Sequence, residues 1–343
     1  MRMIQEKRKM GTRKLARYVR HSAQLAAVLE VSGWPKPGNV HRLKDHPDAR
    51  YEHFLAGAVA LGSAVEDAAV KGAMVGRRKE HISRIGVGNL IKKAVAEISL
   101  SHRGGNTHLG ICLLFIPLGA AAAKTYVENG DFLLDSLRAD VMEIVKSTTR
   151  RDVVAVYEAV RKASSPGSMG KLKDNRVPDL YDEEAKTKIV GRGLTLFDVM
   201  NDASSYDTVA SELVTGMNIT FNIGYKELTE TFNKTGDINK ATVHTFLRIL
   251  SEVPDTFIAR KVGLKKTNDV KKAVKIGKKE TSWICEAAKE VLNLGGLSTA
   301  AGRTALRRLD SKLQSLGKDY NPGTTADLTA AALMVALLNG LRF

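Results

Sequence analysis

The chain of 343 residues has two cysteines, eight prolines, 6% aromatics and fewer acids than bases, and each shortage excludes something. Cys112 and Cys285 lie in apolar or helix-like stretches with no CxxC or Cys/His spacing nearby. That argues against a disulfide framework and a cysteine zinc site, and fits a reducing, cytoplasmic compartment. Few aromatics beside abundant alanine and leucine favour helices over strands, and 43% apolar residues exclude a disordered chain. The most apolar stretch, 109–123, contains Pro117 and is shorter than the roughly 18 residues a spanning helix needs, so no membrane partner is expected. Residues 1–20 lack the apolar core of a signal peptide. No GxxxxGK[ST], GxGxxG after a strand, or GxSxG is present, which removes phosphate-loop kinases, dinucleotide enzymes and α/β-hydrolases.

Positive charge is what the chain has in excess. Fifty-three Lys and Arg against 37 Asp and Glu leave +16, a surface that draws polyanions such as nucleic acid, acidic headgroups or polyphosphates. The run 265–279, rich in lysine, reads as a solvated basic loop or short helix. Apolar residues three and four apart recur as Leu25, Val28, Leu29; Leu55, Val59, Val65; Leu90, Ile91, Val95, Ile98; Leu134, Leu137, Val141, Ile144. The pattern continues as Val209, Leu213, Met217; Val243, Leu247, Leu250; Trp283, Ala287, Val291; Leu306, Leu309, Leu313, Leu316; and from Leu328 to Leu341. One buried stripe per helix predicts an all-α fold, a single multi-helix bundle with a central polar cleft. A basic N-terminal segment is expected over 1–23, one helical domain over 24–343, and a long loop near 164–192.

Five clusters carry residues that helix formation does not require. In Pro35 to Arg42 two prolines hold the chain extended, Gly38 lets backbone approach a ligand, and Lys36, His41 and Arg42 offer cations or proton transfer. In Arg103 to Gly110, Asn106 or Thr107 can cap an apolar helix whose amides face an anion, with His108 beside them. Glu66 and Asp67 interrupt a helix of small residues, and Asp198 and Asp202, four apart, share a face with Asp207 close behind, an arrangement that suits a cation. Asp255 to Lys261 opens a helix, and Asn321 to Leu328 opens the apolar terminal helix with Asp327 one turn inside it, where a carboxylate needs a partner. His41, His46 and His53 match no zinc-ligand spacing.

In this order the clusters resemble the triphosphoribosyl-dephospho-CoA synthase family, all-helical enzymes that make the precursor of a lyase prosthetic group. The resemblance rests on Lys36-Pro37-Gly38-Asn39-Val40, Gly105-Asn106-Thr107-His108, Tyr206-Asp207-Thr208, Asp255-Thr256 with Arg260-Lys261, and Pro322-Gly323-Thr324-Thr325-Ala326-Asp327-Leu328. It implies transfer of the triphosphoribosyl group of ATP to a hydroxyl of dephospho-CoA, with release of adenine and Mg²⁺ on the triphosphate. It further implies Asp255, Asp327 and His108 as catalytic residues. Substrate and phosphate contacts would come from Lys36, Gly38, Asn39, His41, Asn106, Thr107, Arg260, Lys261, Thr324 and Thr325, and metal ligands from Glu66, Asp202 and Asp207. The sequence departs from the family pattern at Leu109, where lysine is usual, and at Thr324-Thr325, where Gly-Ser is usual. A ribosyl-phosphate transferase with a pterin-type acceptor would use the same site, and a basic helical nucleic-acid binder is the competing non-enzyme reading, weakened by two tryptophans and no binding motif.

Overall fold

The computed structural model describes residues 10–165, 167–173 and 176–343. The first half holds α1 (Thr12–Ser32), α2 (Tyr51–Ala60), α3 (Gly62–Gly76), α4 (Val87–Ser101), α5 (Leu109–Asn129), α6 (Leu134–Lys146), α7 (Arg150–Ala163) and the short α8 (Ala185–Gly191). Then follow α9 (Leu196–Ala203), α10 (Thr208–Thr215), α11 (Tyr225–Thr235), α12 (Ile238–Glu252), α13 (Thr256–Leu264), α14 (Val270–Glu280), α15 (Ser282–Asn293), α16 (Ala300–Ser315) and α17 (Gly323–Leu338). Among the described residues there is no β-strand, only isolated bridges such as His41 with Lys44, and the all-α expectation holds.

Two large apolar cores are joined by shared helices, with a small third one of Ala259, Val270 and Val274 between α13 and α14. The larger is built around α5 and α17, with Leu114, Phe115, Leu118, Leu333 and Met334 wholly enclosed by α1, α3 and their neighbours. The second gathers Phe246, Leu247 and Leu250 of α12, Ile258 of α13, Ile284 of α15, and Leu306, Leu309 and Leu313 of α16. Helix α12 places Ala241 and Ile249 in the first core and Phe246 in the second, and α17 divides Leu328 and Ala326 in the same way. Small residues set the spacing: a Cβ on Gly72 would fall 2.0 Å from the Ala120 carbonyl oxygen, so α3 and α5 meet backbone to backbone.

The N-terminal segment 1–23 is already helical from Thr12, and Leu15, Ala16 and Val19 enter the larger core; residues 1–9 lie outside the described residues. One expectation is corrected at Leu109. Pro117 does not end the helix, which runs to Asn129, so α5 and the segment Tyr51–Gly76 are both long and apolar enough to cross a membrane by length and composition. Protein encloses 89% of the apolar window of α5, which makes it the central core helix. The stretch 164–192 runs through turns into α8, with residues 166, 174 and 175 outside the described residues. The lysine run becomes amphipathic α14, Val270, Ala273 and Val274 turned inward.

Candidate active site

Four of the five sequence clusters, far apart in the chain, are joined by direct contacts; the fifth, Glu66 and Asp67, pairs with Arg20 and Lys93 instead. Asn39 donates from Nδ2 to Asn321 Oδ1 at 2.9 Å, tying the first cluster to the last. The Gly105 N–H donates to the Asp48 carbonyl at 3.2 Å, tying the second to the end of the first loop. Gly110 has Asp327 against it so closely that a Cβ there would sit 2.0 Å from Oδ2. Thr208 donates its N–H to Thr256 Oγ1 at 3.1 Å, and the Thr256 hydroxyl lies 3.4 Å from that of Thr324, so α10, α13 and α17 begin side by side. The positive ends of three helix dipoles are thereby brought together.

Asp255 holds this junction. Its Oδ1 accepts the N–H groups of Phe257 at 2.9 Å and Ile258 at 3.0 Å, capping α13, while Oδ2 accepts the N–H and hydroxyl of Thr325, each at 2.8 Å. Both oxygens are committed to two helix starts, and burial, opposed by these donors, raises its pKa. Thr325 is equally committed, and Thr324 packs among hydroxyls.

Arg260, one turn into α13, is buried and donates from one terminal nitrogen to Asp207 Oδ2 at 3.4 Å, while its Nε is buried without a hydrogen-bond partner. Asp207 also caps α10 by accepting the Ala210 N–H at 3.1 Å. Lys261 lies 4.0 Å above the Phe257 ring and donates to the Lys318 carbonyl at 3.0 Å; burial pulls its pKa down. Asp327 is densely surrounded yet keeps partial contact with solvent. Burial first, then the carboxylates of Glu30, Asp255 and Asp207, push its pKa well above the usual range.

Other assigned residues turn inward to structural work. Lys36 is 0% exposed, ion-paired with Glu30 of α1 and donating to Asn39 Oδ1 at 3.1 Å, so it is not free to meet a phosphate. Burial lowers the lysine pKa and raises the glutamate pKa, and each partner offsets part of the other's shift. Gly38, at φ +72°, passes against α16 rather than a ligand: its N–H donates to Asp310 Oδ1 at 3.0 Å and a Cβ would lie 2.8 Å from Leu313 Cβ. His41 is buried beside the same aspartate, its Nε2 3.9 Å from Asp310 Oδ2. The N-cap position of α5 falls on His108 rather than on Asn106 or Thr107, and Asn106, two residues before it, accepts the N–H of Leu109, the first helical residue, at 3.0 Å.

The acidic residues assigned to a metal are held by different cations. Glu66 pairs with Arg20 of α1, Asp202 lies 3.4 Å from Lys271 of α14, and Asp207 faces Arg260. Asp67 pairs with Lys93 at 2.6 Å, and Asp198 accepts the Thr195 N–H and hydroxyl in a capping box. Among the described residues no group of three or more His, Cys, Asp or Glu could hold a metal ion. An open depression of about 540 Å³ lies elsewhere, lined by Arg78, Lys79, His81, Lys124, Glu128 and Glu143, none from the five clusters.

Residues that the sequence reading passed over are Glu30, His102 and Asp310. A charge among apolar neighbours in Val28 to Val31 was the available sign for Glu30. His102, stacked on His53 at 5.1 Å between ring centroids, approaches Thr107 Oγ1 to 3.2 Å, and Thr107 Oγ1 lies 2.7 Å from His108 Nδ1. His108 is 1% exposed, its Nε2 has no partner, and burial takes its pKa down to about 3.

An all-helical body in which three helix starts, a buried arginine and a buried carboxylate meet offers an anionic group a place to bind. The chain belongs to the ATP:dephospho-CoA triphosphoribosyl transferase family, whose model matches residues 16–342. It is thus a transferase, and the family reaction is triphosphoribosyl transfer from ATP to dephospho-CoA. In fold it is similar to a crystal structure from Archaeoglobus fulgidus, provisionally assigned as a triphosphoribosyl-dephospho-CoA synthase, with 24% identity and a TM-score of 0.57. That likeness covers 84% of this chain and 100% of the other. A comparison with curated proteins finds no match.

Proposed function

We propose that the triphosphate of Mg–ATP is received where α10, α13 and α17 begin, by Arg260 and Lys261, and that Asp327 serves the ribose end as general base. The observation that carries this reading is the buried guanidinium of Arg260, anchored by Asp207 on one nitrogen and left with an unpaired Nε beside three helix starts. A phosphate oxygen supplies the acceptor that Nε lacks, in a charge-assisted bond. In the reaction the C1′–N9 bond breaks, adenine leaves with the electron pair and takes a proton from solvent on N9, and the proton collected by Asp327 returns to solvent. The acceptor hydroxyl oxygen bonds to C1′ and gives its proton to the Asp327 carboxylate, whose raised pKa suits a base. Nearby Asp207 and Asp327 stabilise positive charge developing on the ribose.

Mg²⁺ is read as part of the substrate, entering on the phosphates with its own waters and needing one or two protein carboxylates. Asp207, already at the cluster, fits that role better than Glu66 or Asp202, which belong to other ion pairs. Asn39, Thr324 and Thr325 shape the site by holding its walls together. ATP and dephospho-CoA, the substrates of the family reaction, are its partners in this reading.

Calorimetric titration of Mg–ATP into Arg260→Ala tests the placement. Loss of a charge-assisted contact worth about 1.5–3 kcal/mol weakens binding by roughly 10- to 100-fold with the fold intact. Undiminished affinity would move the triphosphate elsewhere.

A further inference from the structure

One chain of hydrogen bonds determines where the proton sits on His108. The Gly104 backbone N–H donates to His102 Nδ1 at 3.1 Å, so that nitrogen carries a lone pair and the His102 proton lies on Nε2. His102 Nε2 therefore donates to Thr107 Oγ1 at 3.2 Å. The threonine hydroxyl has one hydrogen, and with its oxygen accepting from His102 it gives that hydrogen to His108 Nδ1 at 2.7 Å. Neutral His108 is left with its proton on Nε2, the atom that is buried without a partner. The ring has no room to slide away: Phe54 lies 5.5 Å from it between centroids, and a Cβ on Gly57 would be 2.5 Å from Nδ1.

We infer that His108 is a fixed neutral hydrogen-bond donor, oriented by Thr107 and His102, which offers Nε2–H to an unprotonated ring nitrogen of the bound purine of ATP. The inference rests on the placement of ATP proposed above. An uncharged imidazole beside an aromatic ring suits an uncharged planar base, while Arg260 and Lys261 meet the phosphates. Burial supports the assignment by keeping the ring unprotonated across the physiological range. A hydrogen bond to the leaving purine draws electron density from it as the C1′–N9 bond breaks; no proton need be transferred and His108 returns unchanged. Thr107 and His102 are positioning residues, since they act only through His108.

The test uses the full chain with ¹⁵N-labelled histidine, His108 being assigned by the signal missing from His108→Phe. The wild type should show Nε2 protonated and Nδ1 bare, without titration between pH 5.5 and 8.5. Thr107→Val should release the tautomer into a mixture and Thr107→Ser should restore it. In a kinetic cycle with 1-deaza-, 3-deaza- and 7-deaza-ATP, the one analogue that lacks the accepting nitrogen should lower kcat/KM about tenfold with wild type and hardly at all with His108→Phe. If that variant does not fold, Thr107→Val replaces it in the cycle. A protonated Nδ1, a titrating ring, or equal responses of wild type and variant to every analogue would overturn the inference. Failure of the ATP placement is distinguished by the Arg260→Ala titration, which does not involve this ring.

Discussion

Asp255 and Thr325 bind two helix starts into one: a single carboxylate oxygen accepts both the N–H and the hydroxyl of Thr325 at 2.8 Å while its twin caps α13. The sequence reading placed Asp255 among catalytic residues and Thr325 among phosphate contacts, yet both oxygens of Asp255 are taken by helix-start donors and Thr325 has given both its donors to Asp255, leaving none for a phosphate. Their work is to hold Arg260, one turn further along α13, against α10 and α17.

Asp255→Ala should therefore act first on stability. A lost cap costs about 1 kcal/mol and a donor left buried about 1–3 kcal/mol, so urea denaturation should show a loss of roughly 2–4 kcal/mol. ATP affinity should fall with it as Arg260 loses its support. A variant of unaltered stability that cannot turn over would return Asp255 to the chemistry.

Lys36→Ala should likewise unsettle the fold, because Glu30 would be left as a buried unpaired carboxylate, at a cost of about 3–5 kcal/mol. Replacing both, as Glu30→Leu with Lys36→Met, should cost less than either single change, since no charge is stranded. Chemical denaturation of the three variants decides. Wild-type stability in Lys36→Ala together with weakened ATP binding would restore the lysine to the phosphate site.

The same residues explain how much of the molecule could be read in advance. The all-α class and most helix positions were legible because each helix buries one stripe. The stripe was misplaced where alanine does the packing: Leu25 is 39% and Val59 67% exposed, while Ala23, Ala26, Ala27 and Ala58 are fully enclosed. Large side chains marked the wrong face because on α1 and α2 the small alanines are the residues turned to the neighbouring helices. Trp283 and Ala287 do pack at the edge of the second core and Val291 is enclosed in it, with Ile284 and Ala288 beside them more deeply buried. The five clusters were legible as clusters, and four of them do meet, Glu66 and Asp67 being taken up by Arg20 and Lys93. Their individual roles were not, because a lysine that pairs with Glu30 and one that meets a phosphate have the same sequence signature until their neighbours are known.

Mg²⁺ dependence separates a metal carried by ATP from one held by the protein. Thermal unfolding with saturating Mg–ATP should show a rise in Tm that EDTA largely removes, since ligand at 100 times its Kd adds about 2.7 kcal/mol. Glu66→Gln, which only breaks the pair with Arg20, should keep the rise, whereas Asp207→Asn should diminish it. A rise abolished by Glu66→Gln would place the ion on α3.

Asp327→Asn should separate stability from activity in opposite directions. The folded-state pKa of Asp327 lies well above 3.8, the ordinary value, so the folded protein holds this proton after the unfolded chain has released it. Stability is then highest below pH 3.8 as far as this group is concerned, and falls as pH rises from there toward the folded pKa, above which the full cost of the buried charge is felt. Asparagine cannot ionise, so the variant should match wild type in acid and exceed its Tm near neutral pH. Its adenine release should nevertheless drop by about 10²- to 10⁴-fold, the range for a lost general base, and the acid limb of the wild-type pH–rate profile should vanish with it. Melting curves and initial rates across pH check both halves. A variant less stable than wild type at neutral pH, with turnover preserved in the folded fraction, would mean that the carboxylate is held by a cation and serves the fold alone.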